Sequence, residues 1–167
     1  FLHTIDSRNQ RGRIRRHLAH VQKLVNRATI IVTDSKFVAE DLAQHIDTAS
    51  KPIHVVPLGL NPMNTVMNAR TPWSPKSPFL FSLGNFLQHK NFHTLVAMMR
   101  HLPNYKLVIA GKKETPYGEK VVREREELGL TDQIFLPGVI SDSDRHWLYE
   151  NCDAFVFPSL TEGFGFP

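Results

Sequence analysis

Residues 79–111 read FLFSLGNFLQHKNFHTLVAMMRHLPNYKLVIAG, and their patterning decides the fold. Phe79 to Leu83 form a short apolar run of the length expected for a buried strand, and Gly84 ends it. A loop then runs to Lys90, and Asn91 stands where the cap of a helix belongs. Phe92, Leu95, Val96, Met99 and Leu102 recur at three-to-four spacing, so one helix face is apolar. Tyr105 to Ala110 return to a strand pattern and stop at Gly111. A buried strand, an amphipathic helix and a second buried strand within about thirty residues predict a parallel unit.

The cycle continues downstream. Glu119 to Leu128 read as a charged helix stopped by Gly129, and Gln133 to Leu136 as a strand closed by a Pro137-Gly138 turn. Ser141 to Cys152 read as a helix in which Ser141 and Asp144 have capping-box spacing, and Asp153 to Phe157 as the next strand. The class is therefore α/β with a doubly wound parallel sheet, whose ligands bind beyond the carboxyl ends of the strands. Four loops qualify: Gly84 to Lys90, Gly111 to Tyr117, Pro137 to Ser141, and Pro158 to Pro167.

Upstream, residues 58–78 are rich in proline and asparagine and predict an interdomain linker, which leaves 1–57 and 79–167 as separate domains. In the first domain, Thr29 to Thr33 read as a strand, Asp34-Ser35 as a cap, Lys36 to Ile46 as a helix, and Ile53 to Val56 as another strand. Residues 1–27 carry Arg8, Arg11, Arg13, Arg15, Arg16, Lys23 and Arg27 against Asp6, while the remainder is slightly acidic. Threaded as a helix, this segment gathers Ile14, Leu18, Val21 and Val25 on one face. Its arginines then form a solvated outer face or a contact for acidic lipid at a membrane surface. No nucleic-acid motif accompanies them.

With 41% hydrophobic and 22% charged residues, the 167-residue chain has the balance of a globular protein. No apolar run approaches the roughly 20 residues of a membrane span, so a cytoplasmic setting is expected, with peripheral contact to the inner face of a membrane as the alternative. Cys152 is the single cysteine, which excludes an internal disulfide and a multi-cysteine metal site; it reads as packing. The chain begins with Phe1 and stops after a strand and a glycine-rich turn, so it reads as an internal fragment.

Two loops carry the candidate chemistry. Gly84 permits close backbone approach, and Lys90 stands just before a helix N-terminus, where unpaired N–H groups and the helix dipole favour a phosphate. The other reading of Lys90 is a solvated surface cation. Glu162 lies among glycines in Pro158-Ser159-Leu160-Thr161-Glu162-Gly163-Phe164-Gly165-Phe166-Pro167; it is either a ligand-binding carboxylate or the cap of a following helix. Three patterns are set aside. Asp142-Ser143-Asp144 resembles a metal-binding pair but falls in the first turn of a helix, where negative charge is favoured anyway. His89 and His93 lack further ligands, and Trp147, Leu148 and Cys152 have the spacing of a buried helix face.

The run 158–167 resembles the start of the glutamate-glycine motif of family-4 retaining glycosyltransferases, a GT-B type fold with two Rossmann-like domains. Other stretches resemble that family in order. Residues 53–60 are similar to the entry to its second domain, 82–91 to its phosphate loop, and 107–111 and 134–139 to the two following strand ends. Residues 30–42 resemble the close of its acceptor domain. The resemblance implies that 79–167 is a nucleotide-sugar donor domain, incomplete at its C-terminus, preceded by the end of the N-terminal acceptor domain. It implies sugar transfer with retention from a nucleoside-diphosphate donor such as GDP-mannose or UDP-glucose to a sugar or lipid-linked acceptor, without a metal or other cofactor. The residues it marks are Lys90 and Glu162 as catalytic, with Gly84, Asn85, Val139, Gly163, Phe164 and Gly165 in donor binding; Val139 lies by the base. One departure stands out: Asn85 occupies a position where many members have arginine, which leaves Lys90 as the main cation or calls for a compensating basic group. A non-catalytic module of the same fold and a polyanion- or membrane-surface-binding protein are the alternatives.

Overall fold

The computed structural model describes residues 8–59, 75, 76 and 78–165. Most of the expected linker, 58–78, lies outside them, as do Phe166 and Pro167. The described residues divide into two compact units, 8–59 with 161–165, and those from 75 to 160.

The first unit contains α1 (Arg8–Arg27), β1 (Ile31–Thr33), α2 (Lys36–His45) and β2 (Ile53–Val55). The two strands pair in parallel, Ile31 opposite Ile53 and Thr33 opposite Val55. The apolar stripe of α1 is realised: Val25 is buried with Ile31 and Ile46, and Leu18 and Val21 pack on that cluster. Arg13, Arg15 and Arg16 are exposed. Ser35 caps α2 by accepting a hydrogen bond from the Val38 N–H at 3.2 Å.

The second unit is a four-stranded parallel sheet in the order β5 (Ile134–Gly138), β4 (Lys106–Ala110), β3 (Phe79–Leu83), β6 (Ala154–Phe155). The alternation of side chains along β3 and β4 feeds two cores. Leu80, Leu107 and Ile109 point into a cluster with Phe92, Leu95, Val96 and Met99 of α3 (Phe92–Met99) and Tyr117 and Val121 of α4 (Pro116–Glu127). Phe79, Phe81, Val108 and Ala110 point the other way, onto Leu148 of α5 (Asp142–Asn151), with Trp147 and Cys152 packed alongside. Helices therefore cover both faces, as a doubly wound sheet requires.

Four local expectations change. Helix α4 starts at Pro116, not Glu119, because Thr115 caps it and proline suits its first position. Pro137 and Gly138 belong to β5; that strand lies at the sheet edge, where a missing N–H is tolerated. The last strand is shorter than expected, Ala154–Phe155. Asn91 precedes α3 but is left-handed (φ 59°, ψ 29°) and makes no side-chain cap, because it closes a 3-10 turn over Gln88–Lys90.

Candidate functional site

Strand order reverses beside β3, since β4 and β5 follow it on one side and β6 pairs with its other edge. In an open parallel sheet the crevice for a ligand opens at that reversal, outside the carboxyl ends of the strands. The loops leaving β3 and β6 meet there. The Leu160 N–H donates to the His89 carbonyl at 2.8 Å, and the Asn91 amide donates to the Pro158 carbonyl at 3.2 Å. The Asn91 side chain, predicted as a helix cap, thus ties the two loops instead.

Lys90 lies at this junction. Its aliphatic chain covers Gly84: a Cβ built on Gly84 would stand 3.3 Å from Lys90 Cε. Its ammonium lies 4.8 Å from the Phe157 ring centroid, a cation–π distance. The lysine therefore reaches from the end of β3 to the end of β6, and a purely solvated surface role does not describe it.

The helix N-terminus behind Lys90 differs from expectation. The His93 N–H donates to the Tyr117 hydroxyl at 3.2 Å, and the Thr94 N–H donates to the Asn91 carbonyl at 3.1 Å. First-turn donors of α3 are thus engaged within the protein. His93 Nδ1 also meets the Tyr117 oxygen at 2.9 Å, so His93 has a structural role beside α4. Burial pushes the Tyr117 hydroxyl above its ordinary pKa, with hydrogen bonds from the His93 and Phe92 backbone opposing.

On the other side of β3 the strand ends border an open pocket of about 280 Å³ lined by Leu83, Gly84, Asn85, Gly111, Val139 and Arg145, with Ile140 beside them. Gly111 is at φ 135°, and a Cβ there would overlap the Gly84 carbonyl oxygen. Asn85 Oδ1 accepts from the Lys112 N–H at 3.3 Å, which leaves the amide NH₂ as its donor. Val139 is 77% exposed at the mouth. A larger groove of about 470 Å³ runs along α4 past Lys113, Glu119 and Arg123, on a helix flank where the reversal rule places no ligand.

Gly84, Asn85 and Val139 therefore share one cavity, with Lys90 packed over Gly84. Glu162, Gly163, Phe164 and Gly165 belong to the first unit, where the Ser35 hydroxyl donates to the Gly163 carbonyl at 2.7 Å. Glu162 is half-buried. Arg145 lines the cavity and was not singled out from sequence; its only signal was a basic residue in the first turns of a helix following a strand end. The Asp142-Ser143-Asp144 run serves the helix: Ser141 and Asp144 form the capping box, and Asp142 pairs with Arg145 at 3.0 Å. Among the described residues, no three His, Cys, Asp or Glu side chains gather as a metal site needs, and no helix is long and apolar enough to cross a membrane.

A sequence model of the family described as glycosyl transferases group 1 matches residues 65–167. The serotype-specific mannosyltransferase WbdA of Escherichia coli is 28% identical over 155 residues, covering 84% of this chain and 19% of that protein. The O-antigen chain mannosyltransferase RfbU of Salmonella typhimurium is 25% identical over 144 residues, covering 86% of this chain and 39% of that protein. The chain thus spans about a fifth to two fifths of these relatives. Among solved structures, a sucrose-phosphate synthase of Thermosynechococcus elongatus superposes with a TM-score of 0.71 at 22% identity, over 89% of this chain and 39% of that one. The Anabaena protein HepE in complex with UDP-glucose superposes at 0.69 and 16% identity, over 87% and 43%. These neighbours share the GT-B fold.

Proposed function

Because this chain belongs to the glycosyl transferases group 1 family, we propose that it serves the transfer of a hexose from a nucleoside-diphosphate sugar to an acceptor hydroxyl, with retention and without a metal. The observation that carries the reading is Lys90 at the point where strand order reverses, its chain over Gly84 and its ammonium beside Phe157. A cation held there meets the group whose charge changes most in this reaction. As the sugar departs, negative charge grows on the diphosphate, and a fixed ammonium stabilises that state more than the ground state. The leaving phosphate takes the acceptor's proton, so no separate protein base is assigned.

Gly84 and Asn85 bind the diphosphate, and Val139 borders the base. Glu162 orients the donor sugar through its hydroxyls, with the backbone of Gly163 to Gly165 beside it. The Phe164 side chain is assigned no separate step. A mannosyl donor is favoured over a glucosyl one by the names of the curated relatives, both mannosyltransferases, one of them an O-antigen chain enzyme. Polysaccharide synthesis on a sugar or lipid-linked acceptor is the corresponding setting.

In the full protein, Lys90→Ala is expected to lower turnover about a hundredfold, the scale of one donor that stabilises an oxyanion. Turnover equal to the parent's would remove Lys90 from the chemistry. Glu162→Gln is expected to lower turnover with the nucleotide Kd unchanged, since its assigned contact is the sugar. A variant that transfers at the full rate would remove Glu162 from the mechanism.

A further inference from the structure

Helices α2, α4 and α5 mix charges of both signs, as solvated faces do; on α4, Lys120 and Arg123 stand among Glu119, Glu124 and Glu126. Helix α1 differs, since none of its residues is acidic. Arg13, Arg15, Arg16, Lys23 and Arg27 are exposed on it, and among the described residues none of them is held in an ion pair. At about 100° of turn and 1.5 Å of rise per residue, Arg16, Lys23 and Arg27 fall within about 40° of one another and span about 16 Å. They lie opposite Leu18, Val21 and Val25, which pack inward.

This stripe weakens the helix that carries it, because like charges repel at the spacing of Lys23 and Arg27, four apart, and of Arg13 and Arg16, three apart. A partner of opposite sign removes that penalty. The backbone beneath the stripe is braced from its other side. Gln22 exchanges two hydrogen bonds with the Asp47 backbone, at 2.7 and 2.9 Å, and the Lys51 ammonium donates to the Val25 and Asn26 carbonyls at 2.5 and 3.1 Å.

The chemistry of the outer face selects the partner. It offers charge but no aromatic ring on which a base could stack, and the Gln22 amide is committed to Asp47 and Asn26. Beside Arg27, Leu24 is 55% exposed, an apolar side chain at the edge of the cationic row. Cations of one sign on a convex helix face, with a leucine beside them, match the plane of an acidic bilayer, where each lysine or arginine near the surface adds attraction.

We propose that the outer face of α1 is a docking surface for a bilayer containing acidic lipid, with Arg16, Lys23 and Arg27 at the level of the headgroup phosphates. The contact is separate from the donor chemistry assigned to Lys90 and Glu162, so either reading can fail without the other.

The test is sedimentation of the full protein with large vesicles of phosphatidylcholine alone, and with vesicles in which phosphatidylglycerol makes up about a third of the lipid. The parent is expected to bind only the acidic vesicles, and to be released when salt is raised to about 0.5 M. Each cation near the surface is worth about fivefold in affinity, so the combined Arg16→Gln, Lys23→Gln and Arg27→Gln variant should bind about a hundredfold more weakly. A control that removes three exposed cations elsewhere, Arg100→Gln, Lys120→Gln and Arg123→Gln, should stay within about threefold of the parent.

A stripe variant that unfolds at the parent's temperature and keeps parental affinity for acidic vesicles overturns the proposal. So does an equal loss in the control, which would make the attraction a matter of net charge. If the combined variant does not fold, the three single substitutions decide, and unchanged affinity in all of them overturns the proposal. Parent protein that leaves acidic vesicles unbound overturns it as well, as does tighter binding to duplex RNA than to the vesicles at the same salt.

Discussion

The loops that leave β3 and β6 emerge from the same end of one sheet, yet they are held differently. The loop after β3 is braced by the neighbouring strand. Gly84 N–H donates to Ala110, Phe86 N–H to Lys112, and the Thr115 hydroxyl to the Phe86 carbonyl, at 2.9, 2.9 and 2.6 Å. The loop after β6 is tied to its neighbour at Leu160, and from Thr161 onward it groups with the first unit. Lys90 belongs to the second unit, where it packs over Gly84 and beside Phe157, whereas Glu162 belongs to the first. Under the proposed function, the cation assigned to the phosphate is braced within one sheet, and the carboxylate assigned to the sugar belongs to another part of the chain.

The sharpest way to break the β3 brace is Gly111→Ala. Its Cβ would overlap the Gly84 carbonyl oxygen, and the backbone at φ 135° strains any side chain. With backbone on both sides of the clash, neither partner can yield cheaply. A loss of about 3 kcal/mol or more is expected on urea unfolding, by the combined cost of strain and overlap. Alanine at Gly129, which meets nothing within 4 Å, should cost much less despite its own positive φ of 67°. Equal losses at the two positions would mean that the contact between the β3 and β4 loops does not hold the site together.

Much of this scaffold was legible because it follows from periodicity. The stripe Phe92, Leu95, Val96 and Met99 is buried as its spacing predicts, and the Ser141 and Asp144 capping box forms. Both are local rules. What failed was also local but needed context: Pro137 is tolerated in β5 because that strand is an edge, and strand order is not written in any single segment. The same blindness hid the meeting of Lys90 with Phe157, 67 residues apart, and the place of Arg145 on the cavity wall. Asn91 could be read as a cap because nothing in its sequence reveals the 3-10 turn that makes it left-handed. The glutamate run was found by resemblance, and its grouping with the first unit could not be seen from the run itself.

A second brace acts through α4, and removing it should have a smaller effect. The Tyr117 oxygen accepts from the His93 N–H at 3.2 Å and lies within hydrogen-bond distance of His93 Nδ1, at 2.9 Å. Tyr117→Phe leaves that N–H unpaired beside a side chain only 8% exposed, for an expected loss of about 1–2 kcal/mol. The change also has a signature in pH. Burial raises the Tyr117 pKa in the folded state, so the unfolded chain ionises first as pH climbs past the ordinary value of 10.0. The folded state binds more protons above that point, and stability falls as pH rises; below it both states keep the proton and the contribution is level. Tyr149 is raised by burial too, so the alkaline fall does not vanish in the variant but becomes shallower. Unfolding free energies measured between pH 8 and 11 should show the two curves approaching each other above about pH 10. Curves that stay parallel would mean that the buried hydroxyl of Tyr117 is not what couples α4 to the turn carrying Lys90.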